Sequence, residues 1–444
     1  MYILTVCHTE TIARYFVNVN YEIEELHPNV NFIYVCSYPS AHRYLKQKGK
    51  QSILLPRIIH SSVKKENHEV IETNKYRGMD LDELIYFHKE IQENPNKNTG
   101  LLKGTAKRYL DFFNKLFDEY NINKILVWGE GRLITDIPVK LGKKKELEIF
   151  HFEQGPFQTI MFDRKGINFN SSFRNVDRNA EHIDFKSIDD FINRKKSPKY
   201  YTENKNRYLN KIQDFIWMAP PKFLRRNIPI DTQTFESFTD KFLEGINRVI
   251  PKKRENHSIV PTGKNLLLAL QVPADAQMIL HSPNYKTFFE MAQDIHQSLP
   301  KGYNLVIKEH PLYQGKYDEN LYTLINEKDN IKLVNNIELN KLLDNVELVI
   351  VNNSTLGLEA LTQYKKVVTL GDAFYNKEGV VWNYDRNKHD LKRLLIHVLN
   401  SKVDKESMAL FLYNLFYDYL IDDHHKNDTF YSAKYVASKI MAES

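Results

Sequence analysis

The sequence predicts an α/β protein with two Rossmann-like domains, and three observations support this prediction. The chain has 444 residues, which is too long for one ordinary hydrophobic core and suits two domains. Short apolar runs alternate with amphipathic stretches, as expected for buried parallel strands connected by helices. This alternation stops near residue 172 and starts again near residue 265, which indicates two separate series of elements.

The first series of elements is predicted from the N-terminus to about residue 152. Its strands are continuous apolar runs such as YILTVC, which are typical of strands covered by helices on both faces. The helices are predicted from the amphipathic stretches between these runs. The predicted strands are 2–7, 31–36, 52–55, 124–128 and 147–152, and the predicted helices are 11–26, 80–94, 102–120 and 132–142.

The stretch from about 172 to 230 departs from this pattern. It is rich in Asn, Lys, Arg and Tyr, and the pair of prolines at 220–221 is a plausible boundary. We predict a peripheral helical insertion there and assign 1–230 to an N-terminal Rossmann-like domain that would bind an acceptor. A helix at 232–249 and a charged, proline-containing link at 251–264 follow.

The second series of elements predicts a C-terminal Rossmann-like domain at 231–403. The tail at 404–444 is predicted to be helical. Its Asp-Asp-His-His cluster at 422–425 could suggest a metal but is more typical of an exposed polar turn. The predicted strands are 265–270, 303–308, 331–334, 347–351 and 366–370, and the predicted helices are 285–298, 318–327, 338–344 and 355–364.

Composition excludes several classes of protein. With 62 Lys and Arg against 56 Asp and Glu, the net charge of +6 is mild, so we expect no nucleic-acid partner. Only Cys7 and Cys36 occur, which excludes a disulfide scaffold and favours a reducing compartment. No apolar run approaches the roughly 20 residues that span a bilayer. We therefore expect a cytoplasmic protein, with docking on a membrane surface left open.

The basic stretches at 194–211 and 222–226 are the basis for a membrane-surface contact. A solvated helical face explains them at least as well. The chain also lacks both the G-x-G-x-x-G and the G-x-x-x-x-G-K-[ST] patterns, which argues against a dinucleotide oxidoreductase and a P-loop ATPase. Because ligands of such sheets bind beyond the carboxyl ends of the strands, candidate residues are sought directly after each strand.

The strand at 303–308 ends in Lys308, which is followed by Glu309, His310 and Pro311. Pro311 interrupts the strand and would direct His310 toward the ligand-binding edge. Lys308 and His310 are candidate ligands for an anionic group. Solvated polar residues at a strand end are the alternative.

The strand at 347–351 is followed by Asn353, Ser354 and Thr355 and then by a helix that contains Glu359. Ser354 or Thr355 would cap this helix, and its first N–H groups and the hydroxyls would suit a phosphate. An ordinary helix cap is the alternative. With the His-Pro pair in the same domain, the pattern predicts a phosphate site without a metal.

The first strand of the second domain is followed by Gln271 and Asp275. Asp275 lies on a short proline-containing loop, where a carboxylate could act as nucleophile or base. Capping of a helix or turn by Asp275 is the alternative, and spacing alone slightly favours it.

In the first domain, Glu153 and Gly155 follow a buried strand, and Asp163 and Asn168 come soon after. Arg132 follows the strand at 124–128. These residues are candidates for acceptor binding. Turn chemistry is the alternative for the glycine, and a solvated salt bridge is the alternative for Arg132. A Glu and an Asp contributed by two domains fit glycosyl transfer, which commonly needs a pair of carboxylates.

The chain resembles the bacterial capsule polysaccharide synthesis proteins, specifically the retaining β-Kdo glycosyltransferases. The motifs occur in the family's order and cover roughly half of the chain. The matching strings are HFEQGPF and FDRKGINFNSS within 151–172, LALQVPADAQMILHSP at 268–283, LVIKEHPL at 305–312, VNNSTLGLEAL at 351–361 and TLGDAFYNKEGVV at 369–381. Departures occur at Gln158 and Thr159, where the family often carries Arg or Pro.

The resemblance implies a GT-B-type arrangement of the two domains, CMP-β-Kdo as donor, and neither a cofactor nor a metal. It implies that Asp275 is the nucleophile and that Glu153 is an acid/base or acceptor-activating group. His310 would also stabilise the leaving phosphate. The residues implied to bind CMP are Gln271, Lys308, His310, Pro311, Asn353, Ser354, Thr355 and Glu359, the last of these at the ribose.

The implied partners are a nucleotide-sugar donor, a lipid-linked saccharide acceptor at the cytoplasmic face of the inner membrane, and capsule-assembly proteins. Two alternatives stay open. One is a GT-B transferase that uses another CMP- or UDP-activated sugar, and the other is a capsule-assembly scaffold without catalysis.

Overall fold

The structure is a computed structural model that describes residues 1–63, 74–88, 91–92, 99–175, 185–195, 214, 262–273 and 275–442. The chain divides into two units. The first unit contains 1–167, 195–244 and 420–444, and the second contains 168–194 and 245–419. Each unit is built around its own six-stranded sheet.

In the first unit, strands and helices alternate along the chain as the sequence predicts. The strands are β1 (Tyr2–Cys7), β2 (Asn31–Cys36), β3 (Ser52–Leu54), β4 (Lys75–Tyr76), β5 (Met79–Asp80), β6 (Ile122–Trp128), β7 (Glu148–Gly155) and β8 (Thr159–Asp163). The helices are α1 (Glu10–Leu26), α2 (Pro39–Gln47), α3 (Leu55–Val63), α4 (Leu81–Ile85), α5 (Gly100–Tyr120) and α6 (Leu133–Lys144), with α15 (Ala433–Met441) near the C-terminus.

The sheet of the first unit has the order β3-β2-β1-β6-β7-β8. All neighbours are parallel except β7 and β8. The antiparallel strand β8 was not predicted, because its short TIMFD run follows β7 after only three residues and looks like part of a loop. The short strands β4 and β5 form a separate hairpin.

Strand β1 shows why these strands are continuous apolar runs. Ile3 and Cys7 face a core built with α1 and α15, whereas Leu4 and Val6 face a second core built with α4, α5 and α6. All four side chains are fully buried. A strand covered on both faces cannot alternate polar and apolar residues, so the pattern in the sequence follows from its burial.

The second unit repeats this alternation. Its strands are β9 (Lys264–Ala269), β10 (Tyr303–Lys308), β11 (Ile331–Leu333), β12 (Leu348–Val351), β13 (Lys366–Thr369) and β14 (Trp382–Asn383). Its helices are α8 (Ala276–Leu280), α9 (Phe288–Ser298), α10 (Glu319–Glu327), α11 (Leu339–Asp344), α12 (Leu356–Leu361), α13 (Leu391–Asn400) and α14 (Lys405–Tyr413), and α7 (Phe185–Lys195) begins in this unit.

The sheet of the second unit has the order β11-β10-β9-β12-β13-β14, and every pair in it is parallel. Ala269 at the end of β9 pairs with Lys308 of β10 on one side and with Val351 of β12 on the other. The three strands therefore end at the same level. The α/β class and the two Rossmann-like sheets of the prediction are confirmed.

Some predicted elements differ from the structure. The predicted helix at 80–94 is the much shorter α4, which begins after the capping carboxylate of Asp80. The predicted helix at 232–249 lies outside the described residues, as do most of the link at 251–264 and, apart from Arg194 and Lys195, both basic stretches. The described part of the predicted insertion contains α7.

The units also divide the tail, which the prediction treats as one segment. Residues 404–419 belong to the second unit and 420–444 to the first. The reason is packing. Ile421 pairs with Ile160 of β8, and the buried face of α15 joins the core beneath α1. No helix in the described parts of the chain is long and apolar enough to cross a membrane.

The Asp-Asp-His-His cluster at 422–425 is not an exposed turn, as the prediction favoured. Asp423 and His424 are buried, and Asp422 forms an ion pair with Lys195. The Asp423 carboxylate accepts hydrogen bonds from Ser432 N and Oγ, at 3.0 and 2.7 Å, and from Asn427 Nδ2 at 2.8 Å. It holds the start of α15 in place through these bonds.

We expect Asp423→Ala to lower the free energy of unfolding by about 2–4 kcal/mol, because several buried donors lose their acceptor. Asp428→Ala is the matched control. Asp428 pairs with Arg14 at 2.7 Å but is partly exposed, so its loss should cost less than about 1 kcal/mol. Urea denaturation followed by circular dichroism measures both, and equal effects would contradict the anchoring role of Asp423.

Candidate functional site

The predicted donor-binding residues follow the carboxyl ends of β9, β10 and β12, so they lie at one end of the strands of the second sheet. β9 leads to Gln271 and Asp275, β10 ends in Lys308 before His310, and β12 leads to Ser354. Side chains that are far apart in sequence thus lie above neighbouring strands, as expected for the ligand-binding edge of a parallel sheet.

Lys308 ties this edge to the loop after β11. Its Nζ donates to the backbone carbonyls of Asn335 and Ile337, both at 3.2 Å. Burial lowers the pKa of Lys308. An ammonium group has three N–H donors, and two of them are used to hold this loop. The predicted role of Lys308 at the phosphate is thus joined by a structural one.

Glu309 is a buried residue of the site that the sequence analysis passed over. It is only 2% exposed, and its carboxylate accepts from Gly315 N at 3.1 Å, from the Tyr322 hydroxyl and from Asn335 Nδ2 at 2.5 Å. A buried carboxylate with this many donors is a firm anchor. The signal in the sequence was the position of Glu309 between two candidate ligands. A charged residue is seldom buried without a partner, so burial at this position requires the donors that the structure supplies.

His310 is half-buried, and Pro311 after it begins a 3₁₀ turn, Pro311–Tyr313. The His310 Nδ1 accepts from Leu312 N at 3.3 Å, which orients the ring. Burial lowers the pKa of His310, and the negative charge of Asp275 partly opposes that shift. The roles predicted for His310 and Asp275 stay predictions.

Tyr317 joins two of the loops at this edge. Its hydroxyl accepts from His310 N at 3.2 Å and donates to the Gln271 carbonyl at 3.0 Å. Burial raises the pKa of Tyr317, so the hydroxyl keeps its proton. The sequence offered no signal for this residue, because Tyr317 lies seven positions after His310 in an ordinary polar loop.

Asp275 occupies the N-cap position of α8. Its Oδ1 accepts from Gln277 N at 3.1 Å, so the helix cap that the sequence left open is present in the structure. Asp275 is also exposed. A carboxylate has two oxygens, so capping and a role toward a ligand are compatible.

Gln271 and Asn353 connect the ends of β9 and β12. Gln271 Nε2 donates to Asn353 Oδ1 at 2.9 Å, and Asn353 Nδ2 donates to the carbonyls of Gln277 and His281, both at 2.9 Å. Gln271 Oε1 is buried, and no residue in the described ranges donates to it.

Ser354 and Thr355 lie at the start of α12, where the sequence predicts a cap, and their role at a phosphate stays a prediction. Thr355 occupies the N-cap position of α12 but makes no capping bond, whereas Ser354 Oγ accepts from Leu356 N at 3.3 Å. The Tyr375 hydroxyl donates to the Ser354 carbonyl. Thr355 and Glu359 are exposed. Because α12 has only six residues, its dipole is a weak anion site, and the Ser354 hydroxyl is the stronger candidate.

In the first unit, Glu153 follows Phe152 within β7, and its Oε1 accepts from Gln154 N at 2.7 Å. Gly155 is required for packing, because a Cβ there would lie 2.4 Å from Thr159 Oγ1. Arg132 precedes α6, and its positive charge contributes to lowering the pKa of His8, after the larger effect of burial. None of these contacts tests acceptor binding.

Asp163 and Asn168 belong to different units. Asp163 is buried at the end of β8, where its Oδ1 accepts from Lys165 N at 2.7 Å and from Gly166 N at 3.4 Å. These bonds hold the turn that follows β8. Asn168 belongs to the second unit, so it cannot be counted among the residues of the first.

Two polar residues at the strand ends of the first unit were missed. His8 follows β1, is buried, and lies 3.0 Å from Ser37 Oγ through its Nδ1. Asp136 accepts from Gly131 N at 2.8 Å, and burial raises the pKa of Asp136 to about 7. Asp136 lies inside a predicted helix. The helical pattern does not show that this side chain turns back to the preceding loop and is buried there.

Among the residues that the structure describes, no three His, Cys, Asp or Glu side chains cluster in a way that could hold a metal ion. Cys7 and Cys36 are free thiols, buried side by side with their sulfur atoms 3.8 Å apart.

Comparison with known proteins finds several relatives. Protein FixF of Sinorhizobium fredii is 33% identical over 119 residues, which are 26% of this chain and 28% of that protein. The capsule polysaccharide modification protein LipB of Neisseria meningitidis serogroup A is 23% identical over 385 residues, which are 81% of this chain and 86% of that protein.

Among solved structures, Thermosulfurimonas dismutans KpsC, described as a beta Kdo 2,7 transferase, is similar with a TM-score of 0.33 and 16% identity. The match covers 68% of this chain and 88% of that one. The model of the family described as capsule polysaccharide biosynthesis protein matches residues 123–417, which include both strand-end motifs of the second unit and Glu153 of the first. The chain therefore belongs to the capsule polysaccharide biosynthesis protein family.

Proposed function

We propose that the protein is a glycosyltransferase of capsule biosynthesis that transfers Kdo from CMP-β-Kdo to a lipid-linked saccharide, with retention of configuration. The observation that supports this proposal is that Asp275, His310 and Ser354 each follow one of three neighbouring parallel strands of the second sheet, and that these strands end at one level. Family membership supplies the capsule context, and the motif resemblance to the β-Kdo glycosyltransferases is the reason for choosing Kdo as the sugar.

The phosphate of CMP would lie against His310 and the Ser354 hydroxyl. A monophosphate leaving group needs less charge neutralisation than a diphosphate, and the imidazole, the hydroxyl and the remaining N–H of Lys308 can supply it. Glu359 on the exposed side of α12 would bind the ribose. The buried acceptor Gln271 Oε1 would take a donor from the ligand.

Asp275 would act as the nucleophile. Its carboxylate attacks the anomeric carbon, the bond from that carbon to the phosphate oxygen breaks, and the electron pair leaves with CMP. The acceptor hydroxyl then displaces Asp275 from the sugar, and its proton passes to a base. We assign that base to Glu153 from its place in the Glu-x-Gly motif. Two inversions at one carbon give net retention.

The reaction is tested by incubating the protein with CMP-Kdo generated in situ and a synthetic glycolipid acceptor. We expect a Kdo-containing product whose β linkage is read by NMR. Product from a UDP-sugar but not from CMP-Kdo would replace the donor in the proposal. CMP binding without turnover of any donor would favour an assembly scaffold.

Asp275→Asn separates the nucleophile from the helix cap, because Asn caps helices as well as Asp but cannot attack the sugar. We expect transfer to fall by at least about 10³-fold, while CMP affinity stays the same or rises slightly since a negative charge near His310 is removed. Transfer near the wild-type rate would remove Asp275 from the mechanism. Calorimetry with CMP provides the binding measurement.

The pH dependence of CMP binding tests His310. Burial lowers the pKa of His310 in the free protein, so the ring is neutral at neutral pH. A bound phosphate favours the charged ring, so CMP binding takes up a proton and CMP affinity increases as the pH falls, by at most about tenfold per pH unit from this group. Because the CMP phosphate titrates too, the comparison is with His310→Gln, which should bind more weakly and show a shallower dependence. Identical slopes would contradict the assignment.

Tyr317→Phe tests whether the link between the β9 and β10 loops positions the donor site. Loss of the hydroxyl leaves His310 N and the Gln271 carbonyl without their partner, so we expect CMP to bind at least about fivefold more weakly in a folded protein. Tyr303→Phe is the matched control, because that hydroxyl bonds to Glu347 at the opposite end of β10. Equal CMP affinities in both variants would refute the positioning role.

A further inference from the structure

The second unit contains a cavity of about 860 Å³ that no step of the proposed reaction uses. It lies beside β14, the edge strand at the opposite end of the sheet from β11, with β13, β12 and β9 between it and β10. The cavity is lined in part by Phe169, Arg174, Asn376, Trp382 and Arg393. Its volume falls within the range of sites for small molecules or a few sugar units.

The lining combines aromatic faces with polar groups of both signs. Phe169 and the half-buried Trp382 supply apolar surface. Arg393 and Lys377 contribute positive charge, and Asp372, Glu378 and Asp390 contribute carboxylates. Lys388 also lines the cavity, but its ammonium is paired with Asp385 at 2.9 Å.

Two residues of the lining hold hydrogen-bonding atoms that are unused. Asn376 Nδ2 donates to the Gly371 carbonyl at 3.0 Å, but its Oδ1 is buried and has no donor within the described ranges. Arg174 donates to the Phe169 carbonyl at 3.0 Å, with its guanidinium 3.3 Å from the centre of that ring. Its Nε is likewise buried without an acceptor in the described residues. The wall thus has one unused acceptor and one unused donor.

We propose that this cavity binds sugar units of the saccharide chain, beyond the sugar that reacts. Hydroxyl groups both donate and accept, so a saccharide suits a cavity whose polar lining includes amide, guanidinium, ammonium and carboxylate groups. The apolar face of a sugar ring packs against aromatic side chains such as Trp382 and Phe169. Arg393 and Lys377 would bind the carboxylates of acidic sugars. This inference rests on the proposed function, whose saccharide substrate it places.

The cavity is connected to the donor-binding edge by a short path of contacts. Asp275 begins α8, and His281 follows the end of that helix. The His281 carbonyl accepts from Asp372 N at 2.9 Å, and the His281 ring lies 6.0 Å from that of Phe169. The wall of the cavity therefore contacts the residue that follows the helix capped by Asp275.

Saccharide binding to the full chain tests the inference, with a synthetic, lipid-free β-linked Kdo trisaccharide as the probe. Saturation-transfer NMR and calorimetry would measure the dissociation constant. We expect Arg393→Ala to weaken trisaccharide binding at least fivefold and leave CMP affinity unchanged. Lys392→Ala is the matched control, since Lys392 is the exposed neighbour on α13 and does not line the cavity. Trp382→Ala should weaken trisaccharide binding as well. If Trp382→Ala does not fold, Arg393→Ala still tests the inference, because Arg393 is exposed and its loss should not disturb folding.

Several results would overturn the inference. They are no binding of the trisaccharide to the wild-type chain, binding that neither variant weakens, and loss of CMP affinity in Arg393→Ala, which would make the cavity part of the nucleotide site. Failure of the proposed donor site looks different. In that case CMP does not bind, whereas the trisaccharide still binds and remains sensitive to Arg393.

Discussion

The parallel pairing of β9 with β10 on one side and β12 on the other determines where the chemistry of the second unit can lie. The central residues of these strands are apolar on both faces of the sheet. Polar side chains that could bind a ligand therefore occur where the strands end. Ala269, Lys308 and Val351 pair at one level, and the loops that follow them start together. A shift of one residue in this register would separate the loops and turn their side chains to the other face.

Behind the exposed candidates lies a layer of buried polar contacts that holds their loops. Glu309 gathers donors from Gly315, Tyr322 and Asn335, and Tyr317 joins His310 to the loop after β9. Groups that stabilise charge in a transition state are most effective when they do not have to be reorganised during the reaction. The network serves that purpose because each loop is fixed by a partner from another loop.

Several residues combine a structural and a chemical role. Asp275 caps α8 while its carboxylate influences the ionisation of His310, and Lys308 holds the loop after β11 beside the predicted phosphate position. Because one residue can have both roles, the helix cap formed by Asp275 is compatible with its proposed role as the nucleophile. It also means that simple alanine variants at these positions disturb folding and chemistry together, whereas Asn at 275 separates the two.

The sequence was sufficient for the α/β class, for most strands, and for the residues at the ends of β9, β10 and β12, because buried parallel strands are unbroken apolar runs and their ends are marked by the first polar residues. The sequence could not reveal Tyr317 or Asp136, nor the cavity beside β14, since their roles depend on which loops meet in space. It also missed the return of residues 420–444 to the first unit, where β8 and α1 bury Ile421 and α15. Local patterns are set by the periodicity of a strand or helix, whereas contacts between distant segments are set by burial, which only the folded chain defines.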